Sequence, residues 1–162
     1  MRTIPAATAA LLTAVTLGCG FLAQSAARTI DARSALAATR IGLVLVVVGT
    51  VVAAAGAAGR SVPVAFGAAA LLGAGYGFVL LSGLQEVQRI AAPEHLAGLT
   101  AVFYSLTYAG FLLPMLLSAL TGAAGYPVLL LVVAGVQAVC LGLVWAGAHR
   151  VRRSPRERTA VP

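Results

Sequence analysis

Charge is what this chain has least of. Only 9% of its residues are charged, where about a quarter is typical of a soluble domain. Lysine is missing altogether: eleven arginines stand against four acids, for a net charge of +7. A water-soluble domain of 162 residues could not cover its surface with so few charges, which excludes that class and makes lipid the solvent for much of the chain. Cysteine is scarce too, and Cys19 and Cys140 both fall inside apolar runs, where the thiol behaves as a small hydrophobe. Neither a disulfide nor a metal site is expected. His95 sits in a polar loop and His149 at a helix end, neither with a metal-ligand partner at helical spacing. No nucleophile stands beside a base, and the apolar stretches hold no Ser/His/Asp set and no paired carboxylates. Enzymatic chemistry and a cofactor are therefore not expected.

What the chain has in abundance is apolar residues, 60% of the total against about half in an ordinary domain. A bilayer core about 30 Å thick is crossed by roughly 20 apolar residues in a helix, and five stretches qualify: about 5–27, 41–58, 62–84, 96–120 and 126–148. The last two form one uncharged run, and their separation rests on Thr121-Gly122-Ala123-Ala124-Gly125-Tyr126-Pro127, where two glycines and a proline predict a tight turn. A β-barrel, the other structure lipid permits, needs alternating apolar and polar residues, and these segments are continuously apolar. The expected fold class is all-α: a polytopic transmembrane helical bundle of about five helices over 1–149, followed by a disordered basic tail over 150–162. The five arginines of the tail, at 150, 152, 153, 156 and 158, could touch nucleic acid. Beside a lipid-embedded helix they are read instead as a retention signal and a contact for anionic headgroups. The bilayer is the expected partner and nucleic acid is not.

Orientation follows from arginine placement. With five crossings, Arg2 and Arg60 share one side, while Arg28, Arg33, Arg40, Arg89 and the five tail arginines share the other, two against nine. This places the N-terminus outside and the C-terminus in the cytoplasm, in a multi-pass protein of the cell membrane. Treating the first segment as a cleaved secretory signal ending near Ser25-Ala26-Ala27 would leave four helices and put the basic tail outside, inverting the asymmetry. A lipoprotein signal fits no better, since Thr16 rather than leucine stands three residues before Cys19.

Several constellations stand out. Gly73 and Gly77, with Gly67 and Ala70 on nearly the same side, form the small-residue face on which helices adhere in lipid. Thr107, Gly110, Pro114 and Ser118 share a face of the fourth span. The proline there permits a kink, either a bending point or a static packing feature. Tyr104 and Tyr108, one turn apart with Met115 two turns further on, could line a cavity for an amphipathic solute or anchor the helix at an interface. No acid, arginine or histidine lies in the middle of any span. At the span ends, Asp31 with Arg28 and Arg33, and Glu86 with Arg89, could form ion pairs that hold a gate on the cytoplasmic side, or be ordinary solvated loop charges.

From Gly20 onward the chain resembles the second half of a major facilitator superfamily transporter. The likeness is carried by Leu72-Gly73-Ala74-Gly75-Tyr76-Gly77, by Gln85-Glu86-Val87-Gln88-Arg89-Ile90 and by Ala92-Pro93-Glu94-His95-Leu96-Ala97-Gly98. These are similar to that family's tenth helix, the cytoplasmic loop after it and the start of the eleventh. Tyr104 to Pro114 is similar to the eleventh helix of many bacterial exporters. On this alignment the five spans correspond to helices eight to twelve, with the same topology that the arginines imply. Arg28, Asp31, Arg33 and Arg40 match the family's loop signature only loosely, because its glycine is missing. The resemblance implies a secondary transporter moving a small-molecule substrate by alternating access. Tyr76, Tyr104, Thr107 and Tyr108 would then line the path, Gly73, Gly77, Gly110 and Pro114 would pack or hinge helices, and Arg28, Asp31, Arg33, Glu86 and Arg89 would form the inner gate. Twelve helices in two halves make such a transporter, so the chain is expected to be a truncated or split form, completed by a second polypeptide or another copy. The alternative is a small non-transporting membrane protein that associates through glycine-lined helix faces.

Overall fold

The computed structural model describes residues 6–31 and 37–153, with side chains through residue 147. Arg2, Arg33, Arg156 and Arg158 thus lie outside the described residues. Six α-helices follow in order: α1 Ala6–Asp31, α2 Ala37–Gly59, α3 Val62–Ile90, α4 Leu96–Ala109, α5 Leu113–Leu120 and α6 Tyr126–Arg153. A single 3-10 turn, Gly110–Leu112, joins α4 to α5 so that the two make one span, Leu96–Leu120. Among the described residues, five helical segments are therefore long and apolar enough to cross a bilayer, and the chain is an all-α, multi-pass membrane protein. Helices satisfy every interior backbone N–H and C=O within the segment, which is what hydrocarbon demands.

The helices overrun the expected spans at the polar ends. Helix α3 extends to Ile90, because Gln85, Glu86, Gln88 and Arg89 continue its turns beyond the apolar stretch. Its 29 residues measure about 44 Å at 1.5 Å per residue, longer than the roughly 30 Å core. Helix α6 likewise runs to Arg153, so residues 150–153, expected to belong to a disordered tail, are helical. A segment with no glycine or proline between Ala148 and Arg153 has nothing to stop the helix. The rest of the tail, 154–162, lies outside the described residues.

Each break has a local cause. Between α2 and α3, Arg60 takes a left-handed conformation, φ 50°, and the Ser61 N–H reaches back to the Gly56 carbonyl at 3.0 Å. This is the closure in which glycine usually holds the left-handed position. Here Gly59 falls one residue early and an arginine bears a strain of about 1 kcal/mol. Pro63 then sits in the first turn of α3, where no backbone N–H is needed. Between α5 and α6 the turn lies at Thr121–Gly125 as the glycines predict, with the Ala123 N–H on the Leu120 carbonyl at 3.0 Å and the Val128 N–H on the Gly125 carbonyl at 2.9 Å.

Helix α3 is the centre of the bundle, in contact with α1, α2 and α4, while α6 lies against α2 and only touches α5. The sequence Leu72-Gly73-Ala74-Gly75-Tyr76-Gly77 explains why. Residues two apart on a helix point about 200° apart, and residues four apart share a face. Gly73 and Gly77 therefore face one neighbour and Gly75 the opposite one. A Cβ on Gly73 would strike the Thr16 carbonyl of α1, and one on Gly77 the Gly20 carbonyl. A Cβ on Gly75 would lie 2.9 Å from the Gly42 carbonyl oxygen of α2 and 2.7 Å from Val46 Cγ2. Backbones meet directly on both sides. The buried apolar residues are accordingly small, Ala23, Ala27, Ala38, Ala54 and Ala68 among them, with Phe78 the largest of this core.

Candidate functional site

Two places collect polar side chains. The first is at the bundle end shared by the close of α1, the start of α2 and the close of α3. Asp31 ends α1, and its Oδ1 accepts the Ala38 N–H of α2 at 3.0 Å. Its Oδ2 accepts the hydroxyl of Ser82 on α3, a residue only 3% exposed. One carboxyl group thus caps an N-terminal N–H of α2 and ties three helices together. Thr39 Oγ1 and Arg40 Nε are buried in the first turn of α2 and find no partner among the described residues. Of the pairings expected here, Glu86 and Arg89 do meet, with Arg89 donating to both carboxylate oxygens at 2.6 and 2.8 Å. They lie one turn apart on α3 in an exposed position, where such a pair contributes little to stability. Arg28 is exposed and forms no ion pair with Asp31, whose oxygens are engaged by α2 and α3. Arg33 lies outside the described residues.

The second place is at mid-depth. Tyr76 is the middle residue of α3, and Tyr108 is the middle residue of the span Leu96–Leu120. The two helices form an antiparallel hairpin that brings them level, and Gly83, seven residues from Tyr76 and so on the same face, receives the ring of Phe103. A Cβ on Gly83 would meet Phe103 Cε2 at 2.9 Å, so the glycine is what lets α4 come close two turns along α3 from Tyr76. Along α4 the rings continue as a ladder: Phe103 and Tyr104 at 5.7 Å between centroids, Tyr104 and Tyr108 at 6.4 Å, Tyr108 and Phe111 at 6.1 Å. Two of the four residues expected to line a path, Tyr104 and Tyr108, are thus in contact, and both are exposed, as is Tyr76 on α3. The fourth, Thr107, donates its hydroxyl to the Phe103 carbonyl of its own helix at 2.9 Å and is half-buried.

The wall ends at a break in the helix, and the break falls on Gly110 and Pro114. Proline has no N–H to give the carbonyl four residues back, which is that of Gly110. The Leu113 N–H takes that carbonyl instead, three residues on, and this tightens Gly110–Leu112 into a 3-10 turn. A shallow apolar hollow follows the kink, with Gly110, Leu113 and Leu116 in its lining. A single span supplies all of that lining, so it encloses nothing. Gly73 and Gly77, the other expected packing residues, bind α3 to α1 as described above.

Polar groups that sequence reasoning passed over join α2 to α6. Thr50 is 4% exposed, and its Oγ1 lies 2.8 Å from the Val46 carbonyl and 2.9 Å from the side-chain amide of Gln137. A hydroxyl has one proton. The Val46 carbonyl and Gln137 Oε1 are both placed to accept it, so the two share one donor. Gln137 sits at the middle of the span Tyr126–Gly147, in a run otherwise of Val, Leu, Ala and Gly. A search for uncharged amides within the apolar stretches, alongside the search for charges, finds it. Ser82 gives no such signal, since a lone serine is common in membrane helices.

Compared with known proteins, the chain matches no family model, no curated protein and no solved structure.

Proposed function

We propose that this chain is part of a secondary transporter of the major facilitator type, moving a small solute by alternating access, with Tyr76, Tyr104 and Tyr108 on one wall of the path. The observation that carries this is the depth of the three phenols. Tyrosine in membrane proteins favours the interface, where the ring lies in apolar surroundings and the hydroxyl reaches water. Here Tyr76 and Tyr108 are the middle residues of α3 and of the span Leu96–Leu120, and Tyr104 is one turn away. A hydroxyl transferred to hydrocarbon without a hydrogen-bond partner costs about 4–8 kcal/mol relative to water, so three phenols facing lipid at that depth would be expensive. A water-filled path or a solute removes that penalty. Transporters of this type place their site near the midplane, between two halves. The opposing half would come from helices beyond the five described, in a second polypeptide, another copy or further chain.

The proposal includes an orientation. Nine arginines against two put the end carrying Asp31, Glu86 and Arg89 in the cytoplasm of a cell with the protein in its plasma membrane. The Asp31 knot then sits at the inner mouth. The rival, a small protein whose copies associate through glycine faces, would have to use glycines other than Gly73 and Gly77, which α1 already covers.

Thiol accessibility tests this without knowledge of the solute. In a background carrying Cys19→Ser and Cys140→Ser, single variants Tyr76→Cys, Tyr104→Cys and Tyr108→Cys are exposed to a small, charged, membrane-impermeant thiol reagent in intact cells. Val139→Cys, on the exposed face of α6, is the lipid-facing control. Labelling at all three tyrosine positions and not at the control is the expected result. Labelling at none of the three would exclude a water-filled path along this wall.

A further inference from the structure

Helices α2 and α6 meet along a groove that is apolar over its length and basic at one end. Their register is set by Thr50 Oγ1, which lies 2.9 Å from the side-chain amide of Gln137. Five alternating spans make the two helices antiparallel. Counted down both helices from that contact, Trp145 comes level with Gly42, Arg40 stands about 3 Å nearer the end, and position 152 about 8 Å beyond Arg40. Bearing follows in the same way. Gly42 and Gly49 turn toward α3 and Thr50 toward α6, which puts Arg40 about 180° from Gly49 and about 80° past Thr50. On α6, Trp145 and position 152 lie about 80° and about 60° around from Gln137. Because both helices are right-handed and run antiparallel, those turns bring Arg40, Trp145 and position 152 to the same side of the pair. Val44 and Val51, four and eleven residues after Arg40, share its face. Both are exposed, as is Trp145.

Arg40 is half-buried and lacks a counter-charge. Its Nε is enclosed without a partner among the described residues, as is the neighbouring Thr39 hydroxyl, and the guanidinium forms no ion pair among them. Arginine cannot shed its proton, and a charge drawn out of water needs an opposite one. Asp31 is engaged by Ala38 and Ser82, and Glu86 by Arg89. Glu94 belongs to the turn into α4, which packs on α3, and Glu157 lies outside the described residues. A phospholipid phosphate offers what Arg40 lacks, an anion that accepts two parallel N–H bonds from a guanidinium. Its acyl chains need an apolar wall, and the groove supplies one. Basic pockets between membrane helices hold such headgroups, and a tryptophan at this level is where an interfacial ring is favoured. A zwitterionic headgroup would bring its own ammonium against the second arginine. We infer that the α2–α6 groove binds an anionic phospholipid, with its phosphate on Arg40 beside the positive charge of Arg152 and its acyl chain along Val44, Val51 and Trp145.

Trp145 is the chain's single tryptophan, so its fluorescence reads the groove directly. The full chain is reconstituted in phosphatidylcholine vesicles. Lipid with brominated acyl chains, a contact quencher of indole, is then titrated in as phosphatidylglycerol or as phosphatidylcholine. Brominated phosphatidylglycerol should quench Trp145 half-maximally at about 10-fold lower mole fraction than brominated phosphatidylcholine. Arg40→Gln should reduce that preference about 5-fold. Arg152→Gln, in the last turn of α6, should reduce it about 3-fold and serves should the Arg40 variant not fold. Arg28→Gln, at an exposed position on α1 near the same end, should change it less than about 1.5-fold, which separates a site from the general pull of a basic surface. The inference is overturned if the two lipids quench at equal mole fraction, if Arg28→Gln costs as much as Arg40→Gln, or if neither groove variant reduces the preference. Inorganic phosphate or a short oligonucleotide, added in excess, should not relieve quenching by phosphatidylglycerol. Relief by either would mean that the arginines take a soluble anion, and would overturn the lipid as occupant.

Discussion

Helices α1–α3 and helices α4–α6 are built from nearly the same residues and pack in opposite ways. In the first group, many glycines are places where a neighbouring helix lies close, although Gly18, Gly59 and Gly67, the last expected on the packing face, have nothing within 4 Å of where a Cβ would stand. Gly42, Gly73, Gly75 and Gly77 each have a neighbour so close that a Cβ could not be added without moving it. In the second group, Gly98, Gly110, Gly135, Gly142 and Gly147 have nothing within 4 Å of where a Cβ would stand. The span Leu96–Leu120 buries none of its most apolar window. Glycine content therefore does not mark a packing face; the register between two particular helices does. The first group is closely packed around α3, and the second leaves the aromatic ladder of α4 and the kink after it exposed.

The largest expected effect separates the two groups directly. Gly73→Ala or Gly77→Ala should lower stability by about 3 kcal/mol or more, because α1 must move away from α3 against close-packed backbone. Gly135→Ala and Gly142→Ala should be neutral or stabilising by about 0.5–1 kcal/mol, since alanine is the better helix former. Thermal unfolding in detergent, followed by circular dichroism, measures both. Equal behaviour of Gly73→Ala and Gly135→Ala would erase the distinction between the groups.

A smaller effect is expected at the knot that closes the core. Asp31→Ala removes the cap on Ala38 and the partner of buried Ser82 together, and should cost about 2 kcal/mol. Ser82→Ala should cost about 1 kcal/mol, while Arg28→Ala, an exposed residue nearby, should change nothing measurable. If Arg28→Ala destabilised as much as Asp31→Ala, the arginine pairing expected from the sequence would replace the knot seen in the structure.

The smallest effect lies between the groups, at the hydrogen bond from α2 to α6. A double-mutant cycle with Thr50→Val and Gln137→Leu should give a coupling of about 0.6 kcal/mol, the usual size for such contacts in membranes. A coupling of zero would mean that α6 is held to α2 by apolar contact alone.

Much of the fold was legible in residue order. Five apolar runs, the turn at Thr121–Gly125 and the irregularity at Gly110 and Pro114 all follow from local chemistry: apolar length, glycine freedom and the missing N–H of proline. The candidate site was legible in part. Tyr76, Tyr104 and Tyr108 stand out in the sequence, yet the approach of α4 to α3 through Phe103 on Gly83 needed the hairpin register of the two helices. Asp31 stands out in the sequence for its charge, with Arg28 and Arg33 beside it; the fold brings it Ser82 and the Ala38 N–H, Arg28 makes no ion pair with it, and Arg33 lies outside the described residues. Gln137 carries no charge, so a search for ionisable residues could not reach it.

What the sequence determined by itself is the solvent, the helical class and the number of crossings. Hydrocarbon admits only backbones that satisfy their own hydrogen bonds, and a run of apolar residues of sufficient length leaves one way to do so. These are one-dimensional properties, complete within each segment. Which faces meet was decided only by the tertiary structure. In water an apolar stripe tells a helix which side to bury, whereas in lipid every side of these helices is apolar and the stripe vanishes. Contact is then settled by the fit of small residues and scattered polar groups between particular neighbours. That is why Gly73 and Gly135, alike in sequence, ended as a backbone contact and an open surface.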